Sequence, residues 1–167
     1  MSLLLLNVTD LLRRPGSEKV VHLETSTAEL DVDDGRIPEG PVSVELRLDV
    51  LTDGIVVNGV VSTTWQGQCR RCLVPVGGSL TVEVSELYQT TVIDPEAFPI
   101  VHDQLDARPM VREALLIEAP AAPLCREGCA GICAGCGADR NQQPCGCRSA
   151  PRDDRWAALD ALREDSR

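Results

Sequence analysis

The sequence predicts an α+β protein: an antiparallel, barrel-like sheet followed by one helix, a cysteine-rich segment and a short C-terminal helix. Three observations predict it. Residues 42–51 (VSVELRLDVL) and 79–90 (SLTVEVSELYQT) alternate apolar and polar side chains, which is the period of a half-buried strand. Beyond residue 103 the apolar spacing becomes helical. Six cysteines then fall within residues 124–147, and two more stand alone at Cys69 and Cys72.

In chain order, residues 1–8 and 18–24 (EKVVHLE) read as strands joined by DLLRRPGS, where Arg13-Arg14-Pro15-Gly16 breaks any helix. After the strand at 42–51, Thr52-Asp53-Gly54 signals a hairpin into IVVNGVVSTTW, with Asn58-Gly59 as a bulge or second turn. Beyond QCRRCLVPVGG the strand at 79–90 completes the sheet. Leu105, Met110, Val111, Leu115 and Leu116 set the helical stripe, Pro109 suits its first turn, and Pro120 with Pro123 ends it. APRDDRWAALDALRED then predicts a short helix with Trp156, Leu159 and Leu162 on one side. Residues 1–120 form one expected unit, sheet body plus helix; residues 121–167 form the second, the cysteine-rich segment and C-terminal helix.

Length and charge narrow the function classes. A chain of 167 residues buries a sizeable core without covalent cross-links. The leucine run in MSLLLLNVTD is too short for a membrane span and lacks the basic region of a signal sequence, so a cytoplasmic location is expected. The net charge is −10, and all of the excess lies in residues 1–124, which hold 9 basic and 19 acidic residues. An acidic body opposes an electrostatic grip on phosphates. Four aromatics, Trp65, Tyr88, Phe98 and Trp156, are too few and too scattered for a base-stacking platform.

The chemistry lies in the cysteines. They form the pairs Cys69-x2-Cys72, Cys125-x3-Cys129, Cys133-x2-Cys136 and Cys145-x1-Cys147. Two thiolates so spaced reach one tetrahedral ion from a tight turn, and glycines such as Gly137 and Gly146 ease that turn. In a reducing compartment such pairs read as Zn²⁺ ligands. The preferred division is two Cys₄ sites. Cys133, Cys136, Cys145 and Cys147 close one across an eight-residue loop. Cys69 and Cys72 join Cys125 and Cys129 in the other, which pins the end of the helix to the sheet. The alternative is one zinc among the six late cysteines, with Cys69 and Cys72 as plain thiols. Two occupied sites would take the net charge to about −14. Rival readings are an iron–sulfur triplet at Cys129, Cys133 and Cys136, a redox dithiol at Cys69 and Cys72 activated by Arg70 and Arg71, and a disulfide framework. Each lacks its usual context: a long barrel, a βαβ unit or an export signal. His22 and His102 read as ordinary histidines. The sequence contains no phosphate loop, nucleophile elbow or HExxH, so no enzyme is expected.

The order LLRRPGS, sheet, WQGQCRRCL, R-P-x-V-R-E and PLCREGCAGICAGCGADRNQQPCGC resembles the YceD family, proteins tied to accumulation of large-subunit ribosomal RNA, in its actinobacterial form. All eight cysteines match the family's cysteine positions. Arg70, Arg71, Arg108 and Arg112 fall in its other recurring motifs.

The resemblance implies a non-enzymatic factor in large ribosomal subunit assembly or large-subunit RNA processing. The implied partner is a ribosomal protein or RNA-processing factor, which the acidic body would prefer basic. Direct contact with large-subunit ribosomal RNA would use Arg13, Arg14, Arg70, Arg71, Arg126, Arg140 and Arg148. No membrane and no small-molecule substrate are expected. Two alternatives are an adapter that positions an RNA-processing nuclease, and an interaction module unrelated to ribosomes.

Overall fold

The computed structural model describes residues 4–147 and Arg155. Its elements run β1 (Leu5–Asn7), α1 (Thr9–Leu12), β2 (Glu18–Ser26), β3 (Pro41–Val50), β4 (Gly54–Gln68), β5 (Pro75–Gln89), β6 (Phe98–Val101), β7 (Gln104–Asp106) and α2 (Arg108–Glu118). The expected C-terminal helix with Trp156, Leu159 and Leu162 lies outside the described residues.

The strands form one seven-stranded sheet, ordered β1-β7-β6-β5-β4-β3-β2. Alternation along each strand sends one set of side chains inward. Val42, Val44, Leu46, Leu48 and Val50 of β3 are all buried, while Glu45 and Arg47 between them are exposed. Register lines these residues up across strands: Leu23 pairs with Val44, Val44 with Val61, and Val61 with Val82. Onto this inner face pack Leu30 and Ile37 from the β2–β3 connection and Met110, Val111 and Leu115 from α2. Burying each such side chain contributes about 1.5–3 kcal/mol.

The sheet corrects the purely antiparallel expectation, because β5 and β6 pair in parallel through Tyr88–Phe98 and Gln89–Pro99. The segment between them folds around buried Gln89, whose Oε1 accepts N–H bonds from Ile93 and Asp94. Tyr88 stacks on Phe98 with ring centroids 5.2 Å apart. Its hydroxyl donates to the Asp106 carbonyl at 3.2 Å, which ties β5 to the end of β7.

Two local expectations also change, at Asn58-Gly59 and at Leu105, and two features are added, a helical turn at residues 9–12 and the β6–β7 turn. Asn58-Gly59 makes neither bulge nor turn, and β4 pairs continuously with both neighbours through it. A Cβ at Gly59 would collide with the Glu45 carbonyl and Leu46, so the glycine serves close strand approach. Residues 9–12 form a helical turn before the Pro15 break. Leu105 belongs to β7 rather than to the helical stripe. His102 and Asp103, at φ 51° and 59°, make the two-residue β6–β7 turn, a left-handed pair usually supplied by Asn-Gly.

α2 is held at its C-terminal end by an arginine that the sequence did not single out. Arg36 Nη1 donates to the Ala119 carbonyl at 2.6 Å and Nη2 to the Leu116 carbonyl at 3.2 Å, satisfying groups the helix cannot pair itself. Asp34 grips the same guanidinium through Nε and Nη2. The hydrogen bonds from Arg36 hold the Asp34 carboxyl below its ordinary value. A depressed carboxylate pKa contributes stability above the unfolded value and loses it as pH falls through the folded one. Arg36→Ala should therefore lower stability at neutral pH, measured by urea unfolding. The gap from wild type should narrow as Asp34 protonates below the usual carboxylate range; a gap that stays constant there would contradict the Asp34 part.

Candidate metal centres

The β4–β5 hairpin ends in a turn built for two sulfurs. β4 stops at Gln68 and β5 starts at Pro75. Between them Cys69 N–H donates to the Val74 carbonyl, and Leu73 N–H donates back to the Cys69 carbonyl, both at 2.9 Å. Leu73 is forced to φ 61°, in the left-handed region that a Cβ disfavours. The Cys133–Gly137 turn repeats this pattern. Gly137 N–H donates to the Cys133 carbonyl at 2.8 Å with φ 73°, here with the residue type suited to it. Gly135 N–H also points at Cys133 Sγ, 3.4 Å away.

The chain leaving α2 is sewn to the hairpin tip. Arg70 N–H donates to the Pro123 carbonyl at 2.9 Å and Ile132 N–H to the Arg71 carbonyl at 3.0 Å. The Arg71 guanidinium donates to the Cys129 carbonyl at 3.0 Å and the Glu127 carbonyl at 3.4 Å. These bonds bring Cys125 and Cys129 to Cys69 and Cys72.

Two groups of four sulfurs result, Cys69/Cys72/Cys125/Cys129 and Cys133/Cys136/Cys145/Cys147, each with all Sγ atoms within 4.8 Å of one another. Cys69–Cys129 and Cys72–Cys125 measure 3.8 and 3.6 Å. Zn–S bonds of about 2.3 Å in a tetrahedron require an S···S edge of about 3.8 Å. The first set therefore has the size of one tetrahedral ion. A multi-iron cluster would place iron and sulfide between the cysteines and spread them further. All eight cysteines are free thiols rather than disulfides. Cys69 and Cys129 are buried, Cys72, Cys133 and Cys145 half-buried, and Cys125, Cys136 and Cys147 exposed.

Electrostatics within each group is divided. Burial opposes ionisation of Cys69, but N–H groups of Cys72, Cys125 and Arg71 outweigh it and bring the thiol down to about 6. In the same group, burial and the neighbouring thiols push Cys125 up to about 12. Cys133 is lowered to about 6 by the Cys136 N–H, the Cys145 thiol and the Gly135 N–H. Its neighbours Cys136 and Cys133 push Cys147 up to about 12. Four thiols so close cannot all ionise against their mutual repulsion; a divalent cation at the centre removes that obstacle.

Asn141 joins the two groups, and cysteine spacing alone could not reveal it. It sits in the loop between Cys136 and Cys145, yet its Nδ2 donates to Cys129 Sγ at 3.4 Å. The same nitrogen donates to Asp139 Oδ1 at 2.7 Å, and Asn141 Oδ1 accepts from Ala130 N–H and Arg126 Nη2, both at 2.8 Å. Backbone and side-chain donors of Asn141 hold the Asp139 carboxyl below its ordinary value.

The candidate contact arginines do not form one patch. Arg70, Arg71, Arg126 and Arg140 lie around the cysteine groups, with Arg71 and Arg126 engaged as described. Arg13 and Arg14 lie at the opposite end, where Gly16 N–H bonds the Val50 carbonyl next to the start of β4. β4 has 15 residues, roughly 50 Å of strand at about 3.3 Å each. Arg148 lies outside the described residues. No helix among the described residues is long and apolar enough to cross a membrane.

The family model described as "Large ribosomal RNA subunit accumulation protein YceD" matches residues 57–163, a span containing all eight cysteines. The chain belongs to the YceD family. Uncharacterized proteins of Mycobacterium tuberculosis and Mycobacterium bovis are each 31% identical over 156 residues, covering 88% of this chain and 75% of their own length. An uncharacterized protein of Mycobacterium leprae is 30% identical over 149 residues, covering 83% of this chain and 68% of its own. These coverages extend the relationship well beyond the span of the family match. No solved structure matches the chain.

Zinc-loaded protein should carry two ions per chain, and Cys69→Ser should carry one, measured by metal analysis after removal of free zinc. Asn141→Ala should keep two ions but release the first more readily, with affinity about 10- to 100-fold lower in chelator competition. Two ions in Cys69→Ser would contradict the four-sulfur grouping.

Proposed function

We propose that the protein is a zinc-stabilised, non-enzymatic cytoplasmic factor in large ribosomal subunit assembly or large-subunit ribosomal RNA processing, acting first through a basic protein partner and second through RNA. The observation that carries the reading is the pairing of the family match with two groups of four cysteines. An ion held by four thiolates has no open coordination position for substrate or water, which is the arrangement of a structural site. Zinc then clasps the sheet body of residues 1–120 to the segment of residues 121–167. The family's description names accumulation of an RNA and no catalytic activity.

The order of partners follows from charge. The acidic excess of residues 1–124 repels phosphate and favours a cationic protein. Arg70, Arg71, Arg126 and Arg140 give the cysteine end a small basic face that could meet RNA after docking.

Depletion of the protein in its own host should lower large-subunit ribosomal RNA relative to small-subunit RNA, with precursors read on the same blot. Unchanged ratios at confirmed depletion would overturn the ribosomal reading.

A further inference from the structure

β5 is paired on both sides only at its end. Along its full length, Pro75 to Gln89, it pairs with β4; on the other side only Tyr88 and Gln89 meet β6. From Pro75 to Leu87 the second edge has no strand partner among the described residues. Such an edge offers a row of main-chain N–H and C=O groups to another chain.

α2 borders that edge and turns it into a groove of about 330 Å³. Met110, Ala114 and Ile117 recur at helical spacing along the flank of α2 that faces β5 and give the groove its apolar wall, together with Val82 and Val84. Ile117 is 77% exposed, an uncovered side chain at the groove's mouth. Glu83 and Glu86 of β5 and Glu113 and Glu118 of α2 rim it.

Charge around α2 is segregated. Arg108 and Arg112, on another flank of the helix, pair with Asp106 and Asp31. The ion pairs of His22, Arg36, Arg47, Arg108 and Arg112 all go to carboxylates other than Glu83, Glu86, Glu113 and Glu118. The other long sheet edge, β2, mixes Lys19 and His22 with its glutamates.

We propose that the open edge of β5 and the groove beside α2 receive an extended, lysine- or arginine-rich segment of a protein partner as an added strand. The edge supplies main-chain hydrogen bonds. The cationic set of alternating side chains enters the groove, where its aliphatic stems lie on the apolar wall and its charges reach Glu86, Glu113 and Glu118, while Glu83 lies on the opposite face of the strand. A nucleic acid is repelled by the same four carboxylates. A second copy adding its own β5 would set Glu83 and Glu86 against their counterparts. The inference rests on the basic-partner reading above and gives that partner a surface.

The test uses the full zinc-loaded chain and a synthetic peptide of about ten residues alternating lysine and valine. Controls are the same peptide N-methylated at alternate residues and a glutamate–valine peptide. The lysine peptide should bind at low salt and slow the exchange of those amides among residues 76–87 whose N–H groups point away from β4, which should exchange rapidly in the free protein. The N-methylated peptide, and the lysine peptide with a Glu83→Gln/Glu86→Gln or an Ile117→Ser variant, should bind about tenfold or more weakly. Glu24→Gln/Glu45→Gln, on strands away from the groove, should bind as wild type does. Equal binding of the N-methylated peptide, equal loss in both glutamate pairs, or no binding would overturn the inference. So would protection of those edge-facing amides in the free protein, which would show the edge already covered by the chain's own remaining residues or by a second copy. The depletion experiment separates the two readings. Altered ribosomal RNA without peptide binding sinks only this inference, and peptide binding with unaltered RNA sinks only the ribosomal role.

Discussion

The meeting of four sulfurs between the β4–β5 hairpin tip and the exit of α2 is the constraint on which the other end-of-sheet features depend. Cys69 and Cys72 come from a turn inside the sheet, and Cys125 and Cys129 from the chain beyond the helix. Without an ion this contact gathers thiols whose ionisation is mutually opposed. With one, it fixes where the chain goes after residue 118. α2 needs such outside support. It has 11 residues, an N-cap residue, Ala107, that offers no side-chain cap, and no acidic residue in its first turn, and a helix that short is marginal in isolation. Its buried face, the Arg36 clamp on its last carbonyls and the cysteine clasp beyond it together hold it beside β5, which sets the groove there.

The second group of sulfurs is tied to the first by polar contacts. Asn141 reaches from the Cys136–Cys145 loop to Cys129 Sγ while binding Asp139 and Ala130. Arg140 N–H bonds the Gly131 carbonyl, and Ile132 pairs with Asp139 as an isolated bridge. The two groups are thus joined by a few hydrogen bonds. The Arg71 guanidinium, donating through Nη1 to the Cys129 and Glu127 carbonyls, holds the junction together.

The parts legible in the sequence were those governed by a repeating period or by a spacing. Alternation located β3 and β5, the Thr52-Asp53-Gly54 hairpin signal located β4, and i,i+3/i+4 spacing located α2. The pairing of cysteines along the chain foresaw the two groups of four that the fold brings together. What escaped depends on partners distant in the chain. β6 and β7 have four and three residues, too few to display a period, and their turn uses His102-Asp103 in place of a recognisable glycine. Gly59 looked like a turn residue but answers to Glu45 and Leu46 on the next strand. Arg36 lies 80 residues or more before the carbonyls it satisfies. Asn141 could be seen as a residue among cysteines, but its bond to a sulfur of the other group is a product of the fold.

X-ray absorption at the metal edge of protein purified from its own host tests the central claim most directly, because it reads the metal and its ligand atoms together. The account predicts zinc with four sulfur neighbours at about 2.3 Å and no nitrogen or oxygen in the shell. Iron at the sites, or a zinc shell containing a light atom, would contradict it.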